Sequence, residues 1–163
     1  MLRVDQAGEY GATRIYAGQL AVLRRNCPES KLIARMAAQE QRHLVRFNEL
    51  MAQRKVRPTA LRPLWTVAGF ALGAATALIS ERAALACTDA IETEIDKHYA
   101  GQLDELGDED PELSTDIADF RADELEHRDI AREAGATNAI GYPVLTAAIR
   151  AGCRVAIELS KRI

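Results

Sequence analysis

The sequence is poor in the residues that usually announce a function. Its three cysteines, Cys27, Cys87 and Cys153, are an odd number with no CxxC spacing. That excludes a disulfide framework and reads as buried or surface thiols in a reducing compartment. Aromatic residues make up only 5% of the 163; Ala, Leu, Ile, Glu and Arg dominate instead, a set of helix formers that points to an all-α protein. The net charge is -3, which gives no global attraction to nucleic acid. No glycine-rich dinucleotide motif is present. The amino terminus enters a helical pattern directly, with Asp5 and Glu9 inside it, so neither a signal peptide nor a transit peptide is read there. A bacterial cytoplasmic chain or an already trimmed one is expected. The length suits one domain, residues 1–163, with a substantial core.

Histidine is also scarce, with three in the chain, and two of them stand in the same pattern. Glu9 is followed by Glu40-Gln-Arg-His43, and Glu92 by Glu124-Leu-Glu-His127. With 14 Glu in the chain, a Glu three before a given His arises by chance about one time in ten. Two such pairs, each 31 or 32 residues after a lone Glu, are a different matter. Glu and His three apart share one helix face. One Glu from each of two helices and a Glu-x-x-His from each of two others form the ligand set of a carboxylate-bridged di-iron or di-manganese site in a ferritin-like bundle. Four carboxylates balance two divalent ions, and oxygen with imidazole donors suits iron or manganese.

The repeat extends beyond the ligands. Tyr16-Ala-Gly-Gln-Leu20 recurs as Tyr99-Ala-Gly-Gln-Leu103 at the 83-residue offset that relates Glu9 to Glu92. After Pro28 and Pro111 the offset becomes 84, matching Glu40 and His43 to Glu124 and His127. Two helical hairpins related by a pseudo-two-fold axis account for this. Helices are expected over about 4–25, 29–53, 63–80, 81–106, 111–135 and 143–160, with Asp110 as an N-cap, prolines in first turns and Gly135 as a C-terminal stop. The third is the crossover that ferritin-like connectivity requires, and the last is an addition to the four-helix core.

From Pro63 to Ser80 there is no charged residue, whereas Arg24 to Arg62 holds 10 Lys or Arg against three acids. The apolar run is short and Gly/Ala-rich for a transmembrane helix. A basic stretch beside an apolar helix fits shallow binding to an anionic membrane surface, and the last helix has a similar character. The alternative is packing in the core or at an oligomer interface, which Gly69-Phe-Ala-Leu-Gly73, a small-xxx-small pattern, would serve equally. The symmetry breaks at His98, whose repeat partner is Ile15. His98 and Tyr99 together are candidates for proton relay or quinone binding; a surface histidine beside a core tyrosine is the plain alternative. Asp5 and Asp89, one turn before Glu9 and Glu92, are candidates to receive the second N–H of the ligating histidines, or else exposed first-turn acids.

The chain resembles the demethoxyubiquinone hydroxylases of ubiquinone biosynthesis, the Coq7-type di-iron monooxygenases. The resemblance rests on Val4-Asp-Gln-Ala-Gly-Glu-Tyr-Gly-Ala12, Ile15-Tyr-Ala-Gly-Gln19, Phe47-Asn-Glu-Leu50, Val56-Arg-Pro-Thr59, Gly69-Phe-Ala-Leu-Gly73, Ala86-Cys-Thr88, Asp123-Glu-Leu-Glu-His-Arg-Asp-Ile130 and Ala151-Gly-Cys-Arg-Val-Ala-Ile157, which span nearly the whole chain. It implies that Glu9, Glu40, His43, Glu92, Glu124 and His127 bind two Fe ions (Fe2+/Fe3+), and that His98 and Tyr99 serve substrate binding and electron or proton transfer. It implies hydroxylation of a prenylated methoxy-methyl-benzoquinol with O2, at the cytoplasmic face of a bacterial inner membrane (the matrix side of the mitochondrial one for a processed chain). A homo-oligomer or a lipid-presenting protein partner is compatible with it. Two other readings stand beside it: a ferritin-like peroxidase of the rubrerythrin type, against which the apolar segment argues, and a non-catalytic prenyl-quinone-binding scaffold.

Overall fold

The computed structural model describes residues 1–163 as six helices and no strands. They are α1 (Leu2–Val22), α2 (Pro28–Gln53), α3 (Arg62–Ile79), α4 (Glu81–Leu106), α5 (Pro111–Glu133) and α6 (Tyr142–Arg162), with a 3₁₀ turn at Ala136–Asn138. α1 pairs with α2 and α4 with α5; α3 lies along the outside of α1 and returns the chain to α4, and α6 lies on α4 and touches α1. This is the expected ferritin-like order: hairpin, crossover, hairpin.

Local chemistry places the helix starts. Pro28, Pro63, Pro111 and Pro143 all sit in first turns, where their missing N–H is not needed. Asp110 accepts from the Leu113 N–H at 3.2 Å and Ser80 from the Ala83 N–H at 3.0 Å, each satisfying a donor the helix cannot. Cys27 caps α2 through its sulfur, which accepts from the Ser30 N–H at 3.4 Å. α1 stops three residues short of the expected Arg25, because Leu23 is already extended to lead the chain into Pro28. Gly135 takes the left-handed conformation (φ 101) just past α5, as a helix-ending glycine does.

Two apolar plugs close the ends of the bundle interior. One gathers around Tyr16, Ile33, Met36 and Leu85; the other around Phe47, Leu50, Tyr99 and Ile117. Between them lie the acidic side chains described below. Ile15, Cys87, Ile91 and Ile149 form a third cluster that seats α6. Burial pushes the Cys87 thiol up to about 12, so it serves as a packing group rather than a reactive one.

α3 is held by glycine. A Cβ on Gly73 would collide with the Ile15 carbonyl, and one on Gly18 with the Phe70 carbonyl, so the α1 and α3 backbones touch only because both positions are bare. The small-xxx-small pattern therefore serves a contact within this chain. Thr76 and Ala77 are buried too, but the outer face of α3 is not in the core: Leu64, Val67, Phe70, Leu78 and Ile79 are exposed, Val67 at 70%. Ile140, at 95%, and Val144 and Val155 of α6 are exposed as well. α3 is long and apolar enough, by length and composition, to cross a membrane, with a mean hydropathy of 1.3.

Candidate metal centre

Each of the four bundle helices sends acidic ligands inward. α1 gives Glu9, α4 gives Glu92, α2 gives Glu40 and His43, and α5 gives Glu124 and His127. All six are buried, none more than 1% exposed. They fall into two overlapping groups whose ligand atoms lie within 4.8 Å of one another: Glu9, Glu40, His43 and Glu124 in one, and Glu40, Glu92, Glu124 and His127 in the other. Glu40 and Glu124 belong to both, so two carboxylates are placed where they could be shared between two cations, with one lone Glu and one His at each end. The His43 Nδ1 lies 3.2 Å from Glu124 and 3.4 Å from Glu9, and the His127 Nδ1 lies 3.2 Å from Glu40 and 3.4 Å from Glu124.

The donor set fits two divalent cations. Glu9 Oε2, both oxygens of Glu40 and of Glu124, Glu92 Oε2 and both Nδ1 atoms have no hydrogen-bond partner in the protein. Buried polar groups are rarely left so, and a cluster of eight facing one point is what metal coordination would satisfy. The protons tell the same story. Burial, then repulsion from Glu124, holds the Glu40 and Glu92 carboxyls well above the usual carboxylate range. Burial likewise raises Glu124. Burial pushes His43 down, but Glu124 and Glu9 outweigh it and bring the imidazole up to about 10. Bound cations would take the place of these protons.

The neighbours of the ligands are arranged crosswise. Tyr16 on α1 donates to Glu92 on α4 at 2.5 Å, and Tyr99 on α4 donates to Glu9 on α1; this reciprocal pairing fixes α1 and α4 as antiparallel. The Nε2 of His43 on α2 meets Asp123 Oδ2 of α5 at 2.9 Å, and the Nε2 of His127 on α5 meets Gln39 Oε1 of α2 at 3.1 Å. Both acceptors leave the Nε2 protonated and Nδ1 free as the ligand atom. Phe120 stacks on His43 with ring centroids 4.1 Å apart.

Asp5 and Asp89 do not fill the role expected of them. Asp5 accepts from His98 Nε2 and Gln102 Nε2, each at 2.9 Å. Asp89 accepts from Arg132 Nε at 2.8 Å and from the Tyr142 hydroxyl, tying α4 to α5 and to the start of α6. The partners of the ligating histidines are Gln39 and Asp123, each the residue before an ExxH motif and each serving the histidine of the other motif. That repeat was visible in the sequence, but which helix lies opposite was not. Of the two catalytic candidates, Tyr99 reaches a ligand directly. His98 sits beside it, ring centroids 5.9 Å apart, and turns toward Asp5.

An apolar cavity of about 490 Å³ lies beside the centre, between α1, α3, α4 and α6. Gly8 and Ala12 of α1 and Ile91 and Ile95 of α4 line it, and each neighbours Glu9 or Glu92 along its helix. Three polar groups break its apolar wall, one of them the buried Ser160. Glu94, 4% exposed, is held by Lys97 at 2.8 Å and Arg154 at 3.2 Å. Trp65 has an indole N–H with no acceptor.

Comparison with known proteins gives the family of the chain. The family model described as "Ubiquinone biosynthesis protein COQ7" matches residues 1–160. The chain belongs to the COQ7 family. Among its relatives, a 3-demethoxyubiquinol 3-hydroxylase of Rhodospirillum rubrum is 56% identical, over 99% of this chain and 76% of the relative. An NADPH-dependent 3-demethoxyubiquinone 3-hydroxylase, mitochondrial, of Homo sapiens is 53% identical, over 100% and 76%. A 5-demethoxyubiquinone hydroxylase, mitochondrial, of Saccharomyces cerevisiae is 45% identical, over 100% and 77%. The COQ7 family resemblance read from the motifs thus holds over the full chain.

Proposed function

We propose that this chain hydroxylates a polyprenyl methoxy-methyl-benzoquinol, a demethoxyubiquinol, with O2, using two iron ions held by Glu9, Glu40, His43, Glu92, Glu124 and His127. The observation that carries the reading is the buried cluster of four carboxylates and two imidazoles, in two groups sharing Glu40 and Glu124, beside an apolar cavity. A peroxidase needs the first and has no use for the second. The names of the relatives supply the substrate class and reaction.

Iron, when bound, would supply the activation of dioxygen, which no side chain here can provide. Overall, one oxygen atom enters a ring C–H bond and the other leaves as water, with two electrons and two protons drawn from a reductant. The protein's own part is positional. Glu40 and Glu124 would be shared between the two ions, Glu9 and Glu92 would serve one each, and His43 and His127 would complete the set through Nδ1. Asp123 and Gln39 fix the imidazole tautomer and orientation. The Tyr99 hydroxyl holds its proton on Glu9 and the Tyr16 hydroxyl on Glu92, which orients each lone carboxylate. The plugs around Tyr16 and Phe47 keep water from both ends. His98, anchored by Asp5, stands where it can hand protons toward the Tyr99 side of the site.

A substrate with a polyprenyl tail resides in lipid, and the exposed apolar rows of α3 and α6 flank the cavity. Resting those rows on a membrane surface, with Arg57, Arg62, Arg154 and Arg162 near them for anionic head groups, lets a quinol enter without crossing water. The test is reconstitution with Fe(II) and vesicles containing the demethoxyquinol, a chemical reductant and O2. Two irons per chain and a product heavier by one oxygen are expected from the wild type. Glu92→Ala should lose about one of the two irons and leave the precursor. Full iron loading with no product in the presence of substrate would sink the hydroxylase reading.

A further inference from the structure

Helix-interior glycines weaken a helix relative to alanine, so each needs a reason. Gly18 and Gly73 have one, since a Cβ on either collides with the backbone of the neighbouring helix. Gly8 and Gly11 on α1 and Gly152 on α6 do not. A Cβ on any of the three would meet nothing within 4 Å, and none has a positive φ. All three line the cavity. Neither the backbone nor a neighbouring helix asks for glycine there, yet the chain has removed side-chain volume from two facing walls of one space.

The internal repeat sharpens this. At the 83-residue offset that relates Glu9 to Glu92, Gly8 corresponds to Ile91, Gly11 to Glu94 and Ala12 to Ile95, and all six line the cavity. The second hairpin presents bulk where the first presents almost none. On a helix, Gly8 and Ala12 flank Glu9, as Ile91 and Ile95 flank Glu92. The thin wall between cavity and ligands is therefore on the α1 side.

We propose that Gly8, Gly11 and Gly152 are positioning residues that form a slot for a flat, uncharged six-membered ring. The ring would lie against the bare α1 backbone beside Glu9, with Ile91 and Ile95 closing the α4 side. This rests on the quinol reading above and names the part of the chain that seats the head group rather than the tail. Gly101, on α4, also has open space at its Cβ but lies outside the cavity, which makes it the natural control.

The chain has one tryptophan, Trp65, and it lines the cavity, so quenching of its fluorescence reports a quinone there. The experiment titrates a geranylated methoxy-methyl-benzoquinone into metal-free wild type, Gly8→Ala, Gly11→Ala, the double variant, Gly152→Ala and Gly101→Ala. Thermal melts are run on each. All five variants should melt at or above the wild-type temperature. Those on the cavity should bind the quinone about 10-fold more weakly per added methyl, the scale of one methylene misfitted in an apolar pocket. Gly101→Ala should bind as wild type. In the iron-loaded protein the cavity variants should raise KM more than they lower kcat. Unchanged quinone binding in the double variant, or a lowered melting temperature for Gly8→Ala or Gly11→Ala, overturns the slot. If the wild type itself neither binds the quinone nor turns over the quinol, the proposed function fails. If it does both and the glycine variants match it, only the slot fails.

Discussion

The two helical hairpins are alike where they meet the centre and unlike on the side that faces α6. Glu9, Tyr16, Glu40 and His43 of the first hairpin have counterparts in Glu92, Tyr99, Glu124 and His127 of the second, and even the tyrosine hydrogen bonds are exchanged reciprocally. Off the ligand faces of α1 and α4, Gly8 stands against Ile91, Gly11 against Glu94 and Ile15 against His98. Two similar cations, as proposed above, would constrain both halves to the same ligand geometry and keep the inner faces matched. Access to the site needs an opening on one side only, so the outer faces diverge. Function here is carried as much by the broken half of the symmetry as by the kept half.

The sharpest way to break the comparison is to remove a bridge instead of an end. Glu40→Ala or Glu124→Ala deprives both groups of ligands at once, whereas Glu9→Ala or Glu92→Ala deprives one. Metal analysis after reconstitution should find both ions lost from either bridging variant and about one retained in each terminal variant, because a buried site keeps a cation only while its charge is balanced. Equal loss in all four would mean that the two positions are not separable and that the bridging assignment has no thermodynamic content.

Next in size is Gly73→Ala. Its Cβ meets the Ile15 carbonyl, a backbone atom that cannot rotate away, so α3 must lift from α1. Overpacking of this kind costs about 1–3 kcal/mol or more, while Gly8→Ala on the neighbouring face of α1 should cost nothing. Chemical denaturation of both variants measures the contrast. A neutral Gly73→Ala would show that the α1–α3 contact is looser than the backbone approach indicates.

Much of this was readable from the chain alone. The convergence of six acidic and imidazole side chains was legible because Glu-x-x-His spacing fixes a helix face whatever surrounds it, and several helix starts were legible because Pro28, Pro63, Pro111 and Asp110 act locally. What failed was neighbour identity. Asp5 lies one turn from Glu9, but its partners, His98 and Gln102, come from the antiparallel α4, and no spacing within α1 shows that. Gln39 and Asp123 were in view, each before an ExxH, but their bonds cross from α2 to α5. The Gly69–Gly73 pattern told of a close contact and not of its partner. The cavity needs four helices in place before it exists.

The Asp123 and Gln39 pair offers a third, smaller contrast. The sites are equivalent by repeat, yet one acceptor is a carboxylate and the other a neutral amide. Removing such a partner typically costs about 10–100-fold in metal affinity or activity. Asp123→Ala should fall at the upper end and Gln39→Ala at the lower, since a charged acceptor binds the imidazole N–H more strongly. Competitive chelator titration of each variant would rank them; the reverse order would mean that the half-exposed Asp123 is screened by water.

pH is the gentlest perturbation, and the sign follows from burial. In the metal-free protein the carboxyls of Glu40 and Glu92 are held well above their usual range. A native state that binds protons more tightly than the unfolded chain is favoured at low pH and loses that advantage as pH rises through the native values. The metal-free protein should therefore melt at progressively lower temperature from mildly acidic to alkaline pH. Each additional proton bound by the native state contributes about 1.4 kcal/mol per pH unit, or about 3–5 °C in a chain of this size. His43, raised to about 10, pulls the same way at the alkaline end. Loading with metal should flatten or invert the trend, because the ions then hold the ligands deprotonated and bind more strongly as competing protons are withdrawn. Glu40→Gln removes one of the titrating groups while keeping its size, so its metal-free melting curve should depend less steeply on pH than that of the wild type. An unchanged slope would place the buried protons elsewhere than on the bridge.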